Sequence, residues 1–442
     1  MNTPISYSLD YSQIQEKELT PYVLEVKTVL QQLQKILKTK TYDEDECSIF
    51  LPFDESYHKK IHSVVLTKKK YNPQLVVVVG IGGSNLGTLA ILEAIKGKLH
   101  LQQTNTPKVL FAESTDTRYI NNISQLMKHT IAQRKKVLLV VISKSGSTTE
   151  TIANAQVLYD VLEAEQKDAK DFVVTITDKQ SPFDVFSQQK GFTTLYIPKK
   201  VGGRFSVFSA VGLFVLDLVG INVKKLLLGA QDMITQCTQK TISKNPALSL
   251  AITRYLHTVN GKNIHDLFLF DSSFESIGKW YRQLMAESLG KEHNVKGERV
   301  LTGFTPTVSI GSTDLHSVGQ LYLGGPKDKF TTFITIDTFT QKQKITKNES
   351  FASLIPIIEK KSLDVIMDAI VIGVQKAYQT QHVPYTHIQL PKIDEYAIGQ
   401  LLQLFMIEVM FVGKLLQVHT FDQPHVELYK IETKKVLEES NK

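Results

Sequence analysis

Cysteine is nearly missing from this chain: there are two in 442 residues, Cys47 and Cys237, far apart and in no CxxC spacing. They offer no disulfide framework, which fits a reducing compartment. No HxxH, HExxH or Cys/His cluster occurs, so neither a metal site nor a metal cofactor is expected. There is no Walker GxxxxGK[ST] pattern, which disfavours nucleotide hydrolysis. No run of about 18 apolar residues exists, as a membrane-spanning helix would need. The most apolar stretch, Leu401 to Val418, carries Gln403, Glu408 and Lys414 and reads as a buried helix. The opening residues MNTPISYSLDYSQIQEKEL lack the apolar core of a secretory signal. The expectation is a cytoplasmic protein with no membrane partner. The net charge of +7 comes from scattered lysines, Lys68-Lys69-Lys70 apart, and forms no nucleic-acid stripe.

What is present is ordinary for a folded protein: 42% hydrophobic and 21% charged residues, in a length that suggests two or three domains. Residues 1–65 read as a helical N-terminal extension, with Val23, Val26, Val29, Leu30, Leu33, Ile36 and Leu37 at helical spacing. From about residue 66 the pattern changes. Leu75–Val79, Val109–Ala112, Val137–Ile142, Phe172–Thr177 and Thr194–Pro198 are short apolar runs separated by helical segments. A second round follows at Ile264–Phe270, Val308–Ile310, Phe333–Ile336 and Thr386–Leu390, with helices over Ser272–Leu289, Ser362–Tyr378 and Ile398–Leu416. Buried β-branched runs alternating with helices predict parallel sheets. The expected fold class is α/β, with two lobes at 66–235 and 236–425 and a C-terminal helix over 426–442 carrying Lys430.

Ligands of such sheets bind at the carboxyl ends of the strands, and six stretches there carry candidate chemistry. Gly80-Ile-Gly-Gly83-Ser84-Asn-Leu-Gly87 lies between a strand and a helix, where glycines let the backbone approach an anion. Glu113, after the next strand, stands roughly where a dinucleotide fold keeps its ribose carboxylate, although the glycine spacing is not GxGxxG. Ser143-Lys144-Ser145-Gly-Ser147-Thr148-Thr-Glu150-Thr is rich in hydroxyls that can surround a phosphate, and Ser147 with Glu150 also has capping-box spacing. Arg204, in Val201-Gly-Gly-Arg-Phe-Ser, is either a site cation or half of a structural ion pair. Gln283 and Glu287 share one face of a helix that ends at Gly290. A carboxylate there can act as a general base if it opens into a pocket, although helical glutamates are ordinarily solvated. His316 in Gly311-Ser-Thr-Asp-Leu-His-Ser-Val-Gly-Gln, and Gln423 and Lys430 in Phe421-Asp-Gln-Pro-His-Val-Glu-Leu-Tyr-Lys, lie near turns. Singly, such a histidine is ordinarily structural and such a lysine ordinarily solvated.

Together and in order, GIGGSNLG, SKSGSTTET, VGGRFSVFSAVG, ESLGK, STDLHSVGQ and FDQPHVELYK resemble the glucose-6-phosphate isomerase family in its short bacterial form, from about residue 75 to 432. The resemblance implies two sugar-isomerase (SIS) lobes, reversible conversion of glucose 6-phosphate to fructose 6-phosphate through an enediolate, no cofactor, and a homodimer with shared sites. It implies that Gly83, Ser84, Ser143, Lys144, Ser145 and Thr148 bind the phosphate end. Glu287 matches the base, Arg204 the enediolate-stabilising cation, and His316 and Lys430 the ring-opening groups. Gln283 and Gln423 match sugar contacts, and Glu150 an orienting group for the histidine, which comes from the neighbouring subunit. The charged segment Lys291–Gly303 looks longer than in the short forms. It is either a surface loop or a shift in the geometry between Glu287 and His316. Two alternatives stay open: an enzyme that also accepts mannose 6-phosphate, and a sugar-phosphate-sensing regulator, for which no second DNA-recognition helix is evident.

Overall fold

The computed structural model describes residues 3–439 except 104–106, 340, 347–350 and 352–353. Its first sheet is built from the five apolar runs of 66–235. These are β2 (Pro73–Val79), β3 (Lys108–Ala112), β4 (Lys136–Ile142), β5 (Val173–Asp178) and β6 (Thr193–Ile197), in the order β3-β2-β4-β5-β6 and all parallel. Helices cover both faces, so Val76 to Val79 are fully buried without alternation.

The second sheet has the order β1-β12-β11-β7-β10, with β7 (Ile264–Leu269), β10 (Thr305–Ile310), β11 (Lys329–Ile336) and β12 (Tyr385–Leu390) parallel. Its side chains sort by the strand period of two. Leu267, Leu269, Ile334 and Ile336 join the main core, whereas Phe268, Phe270, Phe333 and Tyr385 form a separate aromatic cluster on the opposite face. The fifth strand, β1 (Ser6–Ser8), comes from the segment read as a helical extension and pairs antiparallel with β12. Helices do follow in that segment, over Lys27–Thr39 and Glu55–Lys69. The short strand escaped the pattern because Ser-Tyr-Ser carries no apolar alternation.

The charged segment after Gly290 is a two-stranded hairpin, β8 (Lys291–His293) with β9 (Arg299–Thr302). The helix Glu395–Leu415 is long and apolar enough to cross a membrane, yet its most apolar window lies wholly inside the fold. It runs close to the helix Val223–Cys237. A side chain added at Gly229 would begin 2.0 Å from the Tyr396 carbonyl oxygen, and one at Gly399 2.0 Å from that of Leu226. The same buried helix carries Glu408, whose Oε1 accepts a hydrogen bond of 2.8 Å from Arg254 Nε, both side chains being inaccessible to solvent. Burial pushes the Glu408 carboxyl up, and the guanidinium opposes it.

Removing one member of such a pair strands a charge in the interior. Glu408→Leu is expected to lower the free energy of unfolding by about 3–5 kcal/mol in urea titrations. Arg254→Met combined with Glu408→Leu is expected to recover most of that loss. A double variant as unstable as the single one would show that the pair itself, not the stranded cation, carries the stability.

Candidate active site

The carboxyl ends of β2, β4 and β5 open into a cleft of about 660 Å³. Three turns and two helices wall it. The turn after β2 brings Ile81 to Ser84, and the turn after β4 brings Lys144 to Thr149 with Glu150. The turn after β6 brings Gly203 and Arg204, the helix Glu275–Leu289 brings Gln283 and Glu287, and Gln423 precedes the helix Val426–Glu439 with Lys430.

Gly83 is glycine for lack of room. A Cβ there would lie 2.2 Å from the Gly203 carbonyl carbon, so the first and third turns meet backbone to backbone. Glu113 does not line the cleft and accepts from Asn85 Nδ2 at 2.5 Å. The hydroxyl-rich turn is shaped by Ser143, which is buried and does not line the cleft. Its N–H extends the sheet ladder to the Ile176 carbonyl, and its Oγ accepts from Gly146 N–H at 3.1 Å. Ser145 and Ser147 hydroxyls are 2.6 Å apart. The Ser147–Glu150 capping box does not form, because the helix begins one residue later with Thr148 as N-cap, and Thr148 makes no side-chain cap bond. The first-turn N–H groups, which have no partners within a helix, therefore lie at the cleft wall beside Thr148, Thr149 and Glu150. Lys144 Nζ donates to the Lys199 carbonyl at 2.6 Å and lies 4.0 Å from Asp178 Oδ2. Burial pushes the Asp178 carboxyl up, against the pull of Lys144 and Lys199.

Arg204 is buried, and its guanidinium is held on every side. Nε donates to Ser288 Oγ at 2.8 Å. Nη1 donates to Gln423 Oε1 at 2.7 Å and Glu287 Oε2 at 3.3 Å, and Nη2 to the carbonyls of Thr420 at 2.7 Å and Asp422 at 3.2 Å. Desolvation presses its pKa down, opposed by Glu287 and Asp422. Glu287 is partly open to the cleft, with its other oxygen accepting from Gln283 Nε2 at 3.1 Å. Gln283 Oε1 is buried and has no hydrogen-bond partner among the described residues. Lys430 Nζ lies 2.6 Å from Glu427 Oε1.

His316 is elsewhere. It ends the exposed turn Thr313–His316 after β10 and does not line this cleft. Pattern reading passed over Asp178, although it ends strand β5, at the position where ligands of parallel sheets bind. It also passed over the groups that hold Arg204: Ser288, which stands inside ESLGK, and two backbone carbonyls that no side-chain pattern reports. Among the described residues no group of three or more His, Cys, Asp or Glu side chains is placed to hold a metal ion.

Residues 66–442 match the Phosphoglucose isomerase family. The glucose-6-phosphate isomerase of Methanocaldococcus jannaschii is 33% identical over 364 residues, 80% of this chain and 81% of that protein. A solved hypothetical protein from Thermus thermophilus superposes with a TM-score of 0.85 at 26% identity, covering 98% of this chain and 99% of that one. The solved glucose-6-phosphate isomerase from Chlamydia trachomatis shares the fold with a TM-score of 0.81 at 18% identity, over 99% of this chain and 89% of that one. From the turn that opens the cleft to the helix that closes it, the chain belongs to the phosphoglucose isomerase family.

Proposed function

We propose that this chain interconverts glucose 6-phosphate and fructose 6-phosphate, a step of glycolysis and gluconeogenesis, with Glu287 moving one proton between adjacent carbons. The observation that carries the residue assignment is the placement of Glu287. Its carboxylate faces a cleft, flanked by a fixed guanidinium on one oxygen and the Gln283 amide on the other.

In this reading the lobe at 66–235 holds the phosphate end through Ser84, Lys144, Ser145 and Thr148, together with the Gly83 backbone and the open helix start. Ser143 serves by shaping that turn. The lobe at 236–425 supplies the base. Phosphate binding, remote from the reacting carbons, holds the sugar in register. Glu287 takes the proton from C2 of the aldose and returns it to C1. Negative charge grows on oxygen meanwhile, and Arg204, already ordered by its own hydrogen bonds, stabilises it without reorganising. Gln283 Oε1, a buried acceptor in need of a donor, suits a sugar hydroxyl, as does the Gln423 amide. Lys430 and His316 open the ring by acid–base transfer, and Glu150 orients the imidazole. His316 stands outside the cleft of its own chain, so the reading includes a homodimer in which a second copy supplies it. The two cysteines are free and buried, in keeping with a cytoplasmic location.

Glu287→Gln is expected to lower kcat by about 10²–10⁴-fold while equilibrium dialysis still detects sugar-phosphate binding; near-normal turnover would remove the base from Glu287. Arg204→Lys, which loses the planar fork, is expected to lower kcat by about 10²-fold, and a loss confined to KM would contradict the role of Arg204. Turnover in deuterium oxide should leave solvent deuterium in the sugar, visible by proton NMR, and a complete lack of label would argue against an enediolate.

A further inference from the structure

Gly290 ends the base helix, and the next residue, Lys291, starts the hairpin strand β8. Its side chain is almost fully buried and folds back across the helix end. The ammonium donates to the Glu287 carbonyl at 2.8 Å and to the Asp422 carbonyl at 2.5 Å, and it lies 3.0 Å from Asp422 Oδ1. An ammonium has three donors, and three acceptors are in place. One belongs to the backbone of the base itself. Another belongs to the peptide group that leads directly into Gln423. Arg204 donates to that same Asp422 oxygen, so two cations share one carbonyl. Arg204 grips the side chains of Glu287 and Gln423, and Lys291 grips the carbonyls of Glu287 and of Asp422, the residue before Gln423.

A lysine serving only to cap a helix would need no acceptor from the distant loop. That loop, 416–425, is irregular between two helices and must be located by such bonds. The hairpin clasps it at two further points, Val295 N–H to the Gln417 carbonyl at 2.7 Å and His425 Nε2 to Glu292 Oε2 at 2.9 Å. Burial lowers the pKa of Lys291, and Asp422 pulls it back up.

We propose that Lys291 is a positioning residue for the isomerisation, tying the Glu287 carbonyl to the Asp422 carbonyl that precedes Gln423, so that base, amide and Arg204 keep one spacing around the sugar. The proposal rests on the assignment of Glu287 as the base. It predicts a defect in the chemical step and not in the phosphate cradle, which lies on the other lobe.

The test is steady-state kinetics with glucose 6-phosphate on wild type, Lys291→Met and Lys291→Arg, with thermal unfolding as the check of folding. Lys291→Met keeps the apolar stem and is expected to lower kcat about 10–100-fold with KM within about twofold, as a small misplacement of reacting groups does. Lys291→Arg keeps charge and donors and is expected to return kcat to within about fivefold of wild type. Unchanged kcat in Lys291→Met, a rise in KM alone, or no recovery in Lys291→Arg would overturn the proposal. Should Lys291→Met not fold, Asp422→Asn at the solvent-facing partner is read the same way. A fall in kcat of about two- to fivefold with KM fixed supports the positioning role, and unchanged kcat overturns it. Failure of the isomerase reading looks different: wild type would show no turnover, or Glu287→Gln would retain it.

Discussion

A guanidinium taken out of water must have its donors satisfied or the fold loses several kcal/mol. Arg204 meets that demand by drawing together parts of the chain that are far apart in sequence: its own turn after β6, the end of the helix Glu275–Leu289 through Glu287 and Ser288, and the irregular loop at 420–423. The turn that carries it leaves no space for a side chain at Gly83, so the turn after β2 is fixed against it as well. Under the proposed mechanism, folding and chemistry place the same requirement on this cation: the bonds that make it tolerable in the interior are the ones that would hold it ready for developing charge.

Where the helix Glu275–Leu289 sits follows from close approaches on both of its sides. Gly87, on the helix after β2, leaves room for Val207 and Trp280, while Gly278 on the helix Glu275–Leu289 leaves room for Val308 of the second sheet. The helix is therefore wedged between the two sheets, its C-terminal end projecting Glu287 toward turns that belong to the first sheet. Small residues at these crossings set the distance between the carboxylate and the hydroxyl-lined turn.

The parallel strands were legible because burial on both faces imposes uninterrupted β-branched runs, and Val76 to Val79 is one. Motif reading also picked out the turns that wall the cleft. It could not separate Ser143, which turns inward to shape its loop, from Ser145, two residues on at the cleft wall, since both are serines of one run. It set the helix start one residue early, because capping-box spacing ignores which residue actually leaves helical geometry. Backbone acceptors, here the Thr420 and Asp422 carbonyls, leave no trace in residue type. The hairpin after Gly290 looked like surplus charge. Its lysine proves to be buried, and its value shows only once residue 422 is seen beside residue 291.

The three-residue strand β1 lies along β12, at one border of the second sheet. Without it, the outer edge of the six-residue strand β12 would present the amide and carbonyl groups of every second residue unpaired, a template on which a foreign strand could grow. With it, the border is only Ser6 to Ser8, too short and too polar to recruit another chain. Residues 6–8 thereby act as a selvedge, finishing the border of a sheet whose other strands begin only at Ile264.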